Sequence, residues 1–317
     1  MNSVLFLSTK VLFKISLTDK ERFIFSFVKT NKSITMKKLL LLATAVFATV
    51  SMQAQISTPA PSPSSKLQQT VGLTDVTVDY SRPSMRGRTI FGELVPFGKL
   101  WRTGANAYTK ISFSDDVKIA GQDVKAGTYS IFTKPGATSW EIFFYTDVDG
   151  GGTPKEWDDS KVVAKATSEV YALPVNIEAF TITIDDMTSG GANLGMMWEK
   201  SYVAVPFEVP TDAKVMADID KVMADSPKAD DYYAAAVYFS SEDKDIAKAS
   251  EWMDKAMSMT EEPAFWQLRQ QSLIQAKSGD KKAAIKTAKK SLEKAKEAGN
   301  DDYIKMNTES IVEWEAK

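Results

Sequence analysis

The hydrophobic pattern of the chain changes near Pro210, and this change limits the folds that the sequence can adopt. From Leu67 to about Val209, short segments alternate apolar and polar residues, which is the period of a strand with one buried face. The clearest segments are 76–80, 108–113, 128–132, 140–145, 161–166, 178–184 and 195–205. Glycine, proline and aspartate separate them. Residues 67–209 are therefore predicted to form an antiparallel β-sandwich with a jelly-roll-like arrangement.

Beyond Pro210 the apolar residues recur at helical spacing, beginning with Val215 and Ile219. Helices are predicted at 230–239, 245–259, 263–277, 280–298 and from Asp301 onward. The segment containing Ala249 corresponds to the segment containing Ala284 at a shift of 35 residues, which is close to the tetratricopeptide period. The predicted fold class is thus α+β, with a β-sandwich followed by a tetratricopeptide-like helical repeat domain at residues 210–317.

The chain contains no histidine and no cysteine, which excludes several classes of active site. Serine–histidine triads, thiol nucleophiles, disulfides and histidine- or thiolate-bound metals all require these residues. Catalysis would have to rest on carboxylates, lysine, tyrosine or arginine. A run from Asp147 to Asp158 partly fits a calcium loop, but Gly151 occupies its fifth position and a hairpin loop is the favoured interpretation. We expect no metal and no cofactor.

The N-terminal region contains a pattern typical of a secretory signal. Two lysines after Met36 precede an apolar run from Leu39 to Val50, which is too short for a transmembrane span, and cleavage after Ala54 is predicted. Residues 36–54 are therefore predicted to be a signal peptide and residues 1–35 an upstream extension, with a membrane-associated N-terminus as the alternative. The proline- and serine-rich residues 55–66 are predicted to be a flexible linker.

These features favour export to the periplasm or the extracellular space, with no stable membrane anchor after cleavage. Once residues 1–54 are removed, acidic residues outnumber basic ones. A nucleic-acid partner would require a basic face, so no such partner is expected.

Arginine is concentrated in one short stretch between Arg82 and Arg102, which holds four of the six arginines of the chain. Arginine binds carboxylates and phosphates through a planar fork that lysine does not reproduce. Glycine and proline interrupt the stretch and indicate a tightly specified loop. The candidate binding residues are Arg82, Arg86, Arg88, Trp101, Arg102 and Asn106. The alternative is a structural clasp, in which the arginines pair with carboxylates and carbonyls of the protein.

The stretch YSRPSMRGRTIFGELVPFGKLWRTGANAYTKISF, followed by AGTYSIFTKPG and W-x-I-F-F, resembles domain-of-unknown-function family 2911. Members of this family look like exported bacterial proteins whose β-rich domain carries a Trp-Arg-Thr-Gly-Ala-Asn signature, here Trp101–Asn106. Many continue into a helical tail that resembles tetratricopeptide repeats. The resemblance covers most of residues 67–317, and Tyr108 departs from it where a smaller residue would be expected. It implies no catalytic residues, because the family has no assigned activity.

Two functional hypotheses follow, and the sequence does not decide whether the protein is an enzyme. The favoured one is a non-enzymatic binding or scaffolding protein that holds an anionic small molecule or glycan at the arginine stretch and a protein partner at the helical repeats. The alternative is a cell-envelope glycan hydrolase or lyase in which Asp79 or Glu93 acts as acid or base. An enzyme of this kind needs a carboxylate in the same concavity as the arginines.

Overall fold

The computed structural model describes residues 58–316, in which ten strands precede six helices. The strands are β1 (Ser64–Val71), β2 (Thr74–Ser81), β3 (Lys110–Phe113), β4 (Val117–Ile119), β5 (Gln122–Val124), β6 (Gly127–Pro135), β7 (Ser139–Tyr145), β8 (Val162–Glu169), β9 (Tyr171–Asp185) and β10 (Gly191–Glu208). The helices are α1 (Thr211–Met223), α2 (Ala229–Ser241), α3 (Ile246–Ser258), α4 (Phe265–Lys277), α5 (Lys281–Glu297) and α6 (Asp301–Ala316). The predicted α+β class, with strands first and helices last, is confirmed. The predicted signal peptide and upstream extension lie outside the described residues.

The strands form two antiparallel sheets around one hydrophobic core. The six-stranded sheet has the order β1-β2-β3-β6-β7-β8, and the four-stranded sheet has the order β5-β4-β10-β9. Alternation decides which face is buried, as in β2, where Val76 and Val78 are buried and Asp75 and Asp79 are exposed. Both sheets contribute to the core, which includes Trp140 and Trp198.

The six-stranded sheet also buries part of its outer face. Phe132, Phe143 and Tyr145 form a second cluster there, and Trp157 packs on them from the segment between β7 and β8. The Trp157 ring stacks on Tyr145 at a centroid distance of 4.7 Å and an angle of 26°. This cluster explains why β6 and β7 are buried at nearly consecutive positions rather than at alternate ones.

The start of the sheet and the start of β9 both lie earlier than predicted. β1 begins at Ser64, inside the segment 55–66 that was predicted to be a flexible linker. The sequence pattern did not indicate this strand because an edge strand is held by main-chain pairing and needs few apolar side chains. It pairs with β2 in continuous register from Ser64 opposite Ser81. β9 begins at Tyr171 rather than Glu178, and its register with β10 shifts near Glu199, so alternation does not identify its first half.

The helices follow the predicted boundaries closely. Asp280 caps α5, since its carboxylate accepts a hydrogen bond from the Ala283 amide at 2.9 Å. Small buried residues lie where helices cross, notably Ala249 and Ala284. Their burial fits close helix packing, while tetratricopeptide character itself stays a prediction. Within residues 58–316, no helix is both long enough and apolar enough to cross a membrane.

The sheets and the helices belong to the same compact unit, which begins at Pro61. The first turn of α1 meets the β1–β2 turn, where the Leu73 amide donates to the Thr211 hydroxyl at 3.2 Å. Lys214 donates to the Leu73 carbonyl at 3.2 Å and to the Asp115 carboxylate at 2.9 Å. Polar contacts therefore fix the start of the helical region against the sheets.

Candidate functional site

The arginine stretch forms a loop between β2 and β3 that is held in an unusual backbone conformation. Arg86, Thr103 and Asn106 have positive φ angles of 50°, 57° and 59°, which residues other than glycine seldom adopt. Gly104 has φ +144°, and a Cβ there would lie 3.0 Å from the Thr109 hydroxyl oxygen and 3.1 Å from a main-chain carbonyl oxygen. The loop is thus tightly packed against β2 and β3.

Arg82 ties this loop to β9. Its Nε donates to the Phe180 carbonyl at 3.0 Å and its Nη2 donates to the Thr181 hydroxyl at 2.7 Å. The side chain is half-buried. Arg82 is not among the residues that line the pocket to which Arg86, Arg88 and Arg102 belong. Its contacts match those expected of a structural clasp.

Arg86 and Arg88 are exposed and use only part of their hydrogen-bonding capacity. Arg86 donates through Nη2 to the Pro61 carbonyl at 2.7 Å. Arg88 donates to the carbonyls of Met85 and Ser84 at 2.8 and 2.7 Å. A guanidinium has five N–H donors, so both residues keep donors that no acceptor among residues 58–316 uses.

Arg102 has no hydrogen-bond or carboxylate partner among residues 58–316, and its Nε is buried without an acceptor. Buried donors in proteins are nearly always paired, so such an atom needs an explanation. Arg102 lies in the wall of a pocket of about 520 Å³, together with Arg86, Arg88 and Trp101. Gly152 belongs to the same wall, and a Cβ on it would lie 3.7 Å from Arg102 Nη1.

An aromatic cluster supports the pocket from the core side. Trp101 and Trp198 both line it, and their rings stack at 5.9 Å with an angle of 18°. The Trp101 indole donates to the Gly104 carbonyl at 3.2 Å, and its ring also packs edge-on against Phe180 at 5.2 Å. The core therefore fixes the position of the Trp101 ring, which forms part of the pocket wall.

Asn106 does not line the pocket. Its side-chain amide donates to the Ser62 carbonyl at 3.0 Å and to the Ser81 hydroxyl at 3.2 Å. Together with Arg86, it holds the segment that precedes β1 beside the loop. These contacts stabilise the rim of the pocket.

No aspartate or glutamate is among the described residues that line this pocket. Asp79 is exposed on β2, opposite Lys110 in the register of β3, and Glu93 is exposed in the turn before Val95. The geometry thus places neither candidate acid or base in the wall that carries the arginines.

Comparison with protein families gives one match. Residues 62–207 fit the model of the family described as "Protein of unknown function (DUF2911)". This part of the chain is a DUF2911 domain. Comparisons with curated proteins and with solved structures find no match.

The DUF2911 domain holds its arginine loop with two glutamates from the four-stranded sheet. The Glu178 carboxylate accepts a hydrogen bond from the Arg86 amide at 2.9 Å. The Glu199 carboxylate accepts from the amides of Ile90 and Phe91, both at 3.3 Å. Glu199 has a φ of +55° and lies where the register between β9 and β10 shifts.

Some pocket residues of the DUF2911 domain were not predicted from the sequence. Trp198 follows the core alternation of β10, and Thr153 and Gly152 belong to the segment interpreted only as a hairpin loop. The glycine run was the one available signal, since glycine permits a close approach to another group.

Two aspartates in the glycine-rich segment of the DUF2911 domain are paired with lysines. Asp147 of the glycine-rich segment accepts a hydrogen bond from Lys161 at 2.8 Å, and Asp149 pairs with Lys110 at 3.5 Å. Among residues 58–316, no group of three or more acidic residues is placed to hold a cation.

Proposed function

We propose that the protein is an exported, non-enzymatic binding protein whose DUF2911 domain holds an anionic ligand in the pocket of Arg86, Arg88 and Arg102. One observation carries this proposal. The Arg102 guanidinium has no acceptor among the described residues, and its Nε is buried beside the pocket. Leaving a charged donor buried and unpaired is unfavourable, and an external oxyanion would remove that cost.

The composition of the pocket indicates the chemical class of the ligand. Three guanidinium groups without a carboxylate between them favour carboxylate or phosphate groups, which arginine binds through two parallel hydrogen bonds. Trp101 supplies an apolar edge beside these cations. A volume of about 520 Å³ suits a small organic anion or a short acidic glycan.

The hydrolase or lyase hypothesis receives less support from this geometry. Acid–base catalysis requires a carboxylate within hydrogen-bond reach of the substrate, and neither Asp79 nor Glu93 lines the pocket. We therefore keep the binding function as the proposal for this site.

Export and partner docking complete the proposal. The signal-like sequence from Met36 to Ala54 supports delivery to the periplasm or the extracellular space. The helical region supports a docking role, because repeated helices present extended surfaces to protein partners.

The test compares Arg102→Lys with Arg82→Lys in the full-length protein. Citrate, inorganic phosphate and a galacturonate trisaccharide serve as probes, with calorimetric titration as the measurement. Arg102→Lys keeps the charge but loses the planar fork, so affinity for the bound probe should fall about tenfold. Arg82→Lys should retain the wild-type affinity, because Arg82 lies outside the pocket wall. Failure of all three probes to bind, or equal affinity of Arg102→Lys and the wild type, would contradict the proposal.

A further inference from the structure

The helical region contains a single arginine, Arg269 on α4, and its surroundings are unusual. The residue is half-buried, and its Nη1 atom is buried without an acceptor. Among residues 58–316, no carboxylate forms an ion pair with Arg269 and no group accepts a hydrogen bond from its guanidinium. Lys277, on the same helix, does have a partner, since it forms an ion pair with Asp243.

Two tyrosines from adjacent helices lie at the level of Arg269. α2, α4 and α6 contact one another in turn, and Tyr233 occupies the same position in α2 that Arg269 occupies in α4, the fifth residue. Tyr303 is the third residue of α6. The three residues thus follow one another at roughly the 35-residue period of the helical pairs, which brings equivalent positions side by side.

Contacts at the start of α4 fix the position of Tyr303. Its ring packs edge-on against Phe265, one turn before Arg269, at a centroid distance of 4.8 Å. One turn after Tyr303, the Asn307 amide donates to the Ser291 hydroxyl at 2.9 Å, and Ser291 donates to the Phe265 carbonyl at 2.7 Å. The first turns of α6 are therefore held against the turn of α4 that precedes Arg269.

Both tyrosine hydroxyls also lack a partner among residues 58–316. In the part of the chain that the structure describes, neither the Tyr233 nor the Tyr303 hydroxyl makes a hydrogen bond. Burial raises the pKa of Tyr233, and the nearby Tyr303 adds to this effect. Burial lowers the pKa of Arg269, and Tyr303 opposes that change. The effect of Tyr303 on both groups agrees with its proximity to Tyr233 and to Arg269, and the Tyr233 hydroxyl stays protonated at neutral pH.

We infer that Tyr233, Arg269 and Tyr303 form an oxyanion-binding site for a carboxylate or phosphate group carried by a partner of the helical region. The three donors lie at equivalent positions of three adjacent helices, with Tyr303 close to the other two, and no acceptor of the described chain satisfies them. A buried guanidinium without an acceptor destabilises a fold, whereas a bound oxyanion satisfies it through two hydrogen bonds. The inference is independent of the pocket around Arg102, which lies in the DUF2911 domain.

The experiment measures how acetate and inorganic phosphate, each against chloride at equal ionic strength, change the melting temperature of the full-length protein. At a concentration about fivefold above the dissociation constant, the bound anion should raise the melting temperature by roughly 2–4 °C. In an Arg102→Met background, which removes the contribution of the other pocket, Arg269→Met should abolish this rise. Lys277→Met removes a charge from the same helix and should retain it. A response to acetate alone identifies a carboxylate site, and a response to phosphate alone identifies a phosphate site.

A further variant, Arg102→Met, separates the two sites. Persistence of the anion response in Arg102→Met, and its loss in the double variant Arg102→Met/Arg269→Met, support the helical site. Loss of the response in Arg102→Met alone overturns the helical site and leaves the pocket proposal in place. In chloride alone, Arg269→Met should melt at or above the wild-type temperature, because it removes an unpaired buried donor. A lower melting temperature together with an unchanged anion response would show that Arg269 is purely structural.

Discussion

Lys214, in the first turn of α1, donates a hydrogen bond to the carboxylate of Asp115 in the β3–β4 turn at 2.9 Å. This contact joins the helical region to the DUF2911 domain. The hydrogen bond from Lys214 is the largest cause that lowers the pKa of Asp115; burial opposes it, and the hydroxyls of Thr74 and Ser114 reinforce it.

The contact between Lys214 and Asp115 should make the free energy of unfolding depend on pH. Since the folded-state pKa of Asp115 lies below the usual value of about 3.9, its contribution is present above that value and is lost as the pH falls through the folded-state pKa. Asp115→Asn should remove about 1 kcal/mol at neutral pH and flatten the acid limb of the unfolding curve. Urea unfolding at several pH values measures this. Asp123→Asn, in an exposed ion pair with Lys118, is the control and should change little. Equal curves for the wild type and Asp115→Asn would contradict the prediction.

Arg82 and Arg102 should respond oppositely to substitution when stability is measured. Arg82→Ala removes two hydrogen bonds that join the loop to β9, so the free energy of unfolding should fall by about 1.5–3 kcal/mol. Arg102→Ala removes no hydrogen bond within the described residues and should leave the free energy of unfolding within about 0.5 kcal/mol of the wild type. Chemical denaturation measures both variants. A large loss for Arg102→Ala would assign the pocket arginine to the structural clasp.

Two glycines of the loop form a matched pair for substitution. Gly104→Ala places a Cβ 3.0 Å from the Thr109 hydroxyl oxygen in a backbone conformation that alanine seldom adopts. We expect a loss of about 2–3 kcal/mol. Gly98 also has a positive φ, but no atom lies within 4 Å of its added Cβ, so Gly98→Ala should cost about 1 kcal/mol. Similar losses for both variants would mean that contacts around Gly104 do not constrain the loop.

Export can be tested independently of the structure. If residues 36–54 are a cleaved signal, N-terminal sequencing of the exported protein should start near Gln55. Replacing Lys37 and Lys38 by glutamate should leave the precursor in the cytoplasm, because the charged start of the signal is lost. Recovery of a cytoplasmic protein that begins at Met1 would refute the prediction.

Much of the fold could be predicted because burial imposes a period on the sequence. Val76 and Val78 alternate with exposed aspartates, and this pattern alone identifies β2. Asp280 marks the start of α5 because a helix leaves amides that need an acceptor. β1 gave no such signal, since an edge strand with polar side chains depends on main-chain pairing to β2.

The position of the arginine loop could be predicted from the sequence, but the partners of its individual arginines could not. The clustering of arginine indicates the loop, yet the partners that separate Arg82 from Arg102 come from β9, almost a hundred residues away. Glu178 and Glu199 were missed for the same reason. Their carboxylates accept from loop amides, and only the positive φ of Glu199 distinguishes it from an ordinary strand residue.

The residue before Arg102 has a consequence for binding kinetics. The Trp101 amide donates to the Thr133 carbonyl at 2.7 Å, and the Thr133 amide donates to the Trp101 carbonyl at 2.9 Å. Arg102 therefore follows a residue whose main chain is hydrogen-bonded to β6. Arg86 and Arg88, in contrast, lie in or beside a turn. In the proposed binding function, a ligand that meets Arg102 first would contact a side chain whose main chain is already fixed, and little main-chain entropy would remain to be lost there. Arg86 and Arg88 would then meet the anion with the donors that their main-chain hydrogen bonds leave over, and these added contacts would lengthen its residence time.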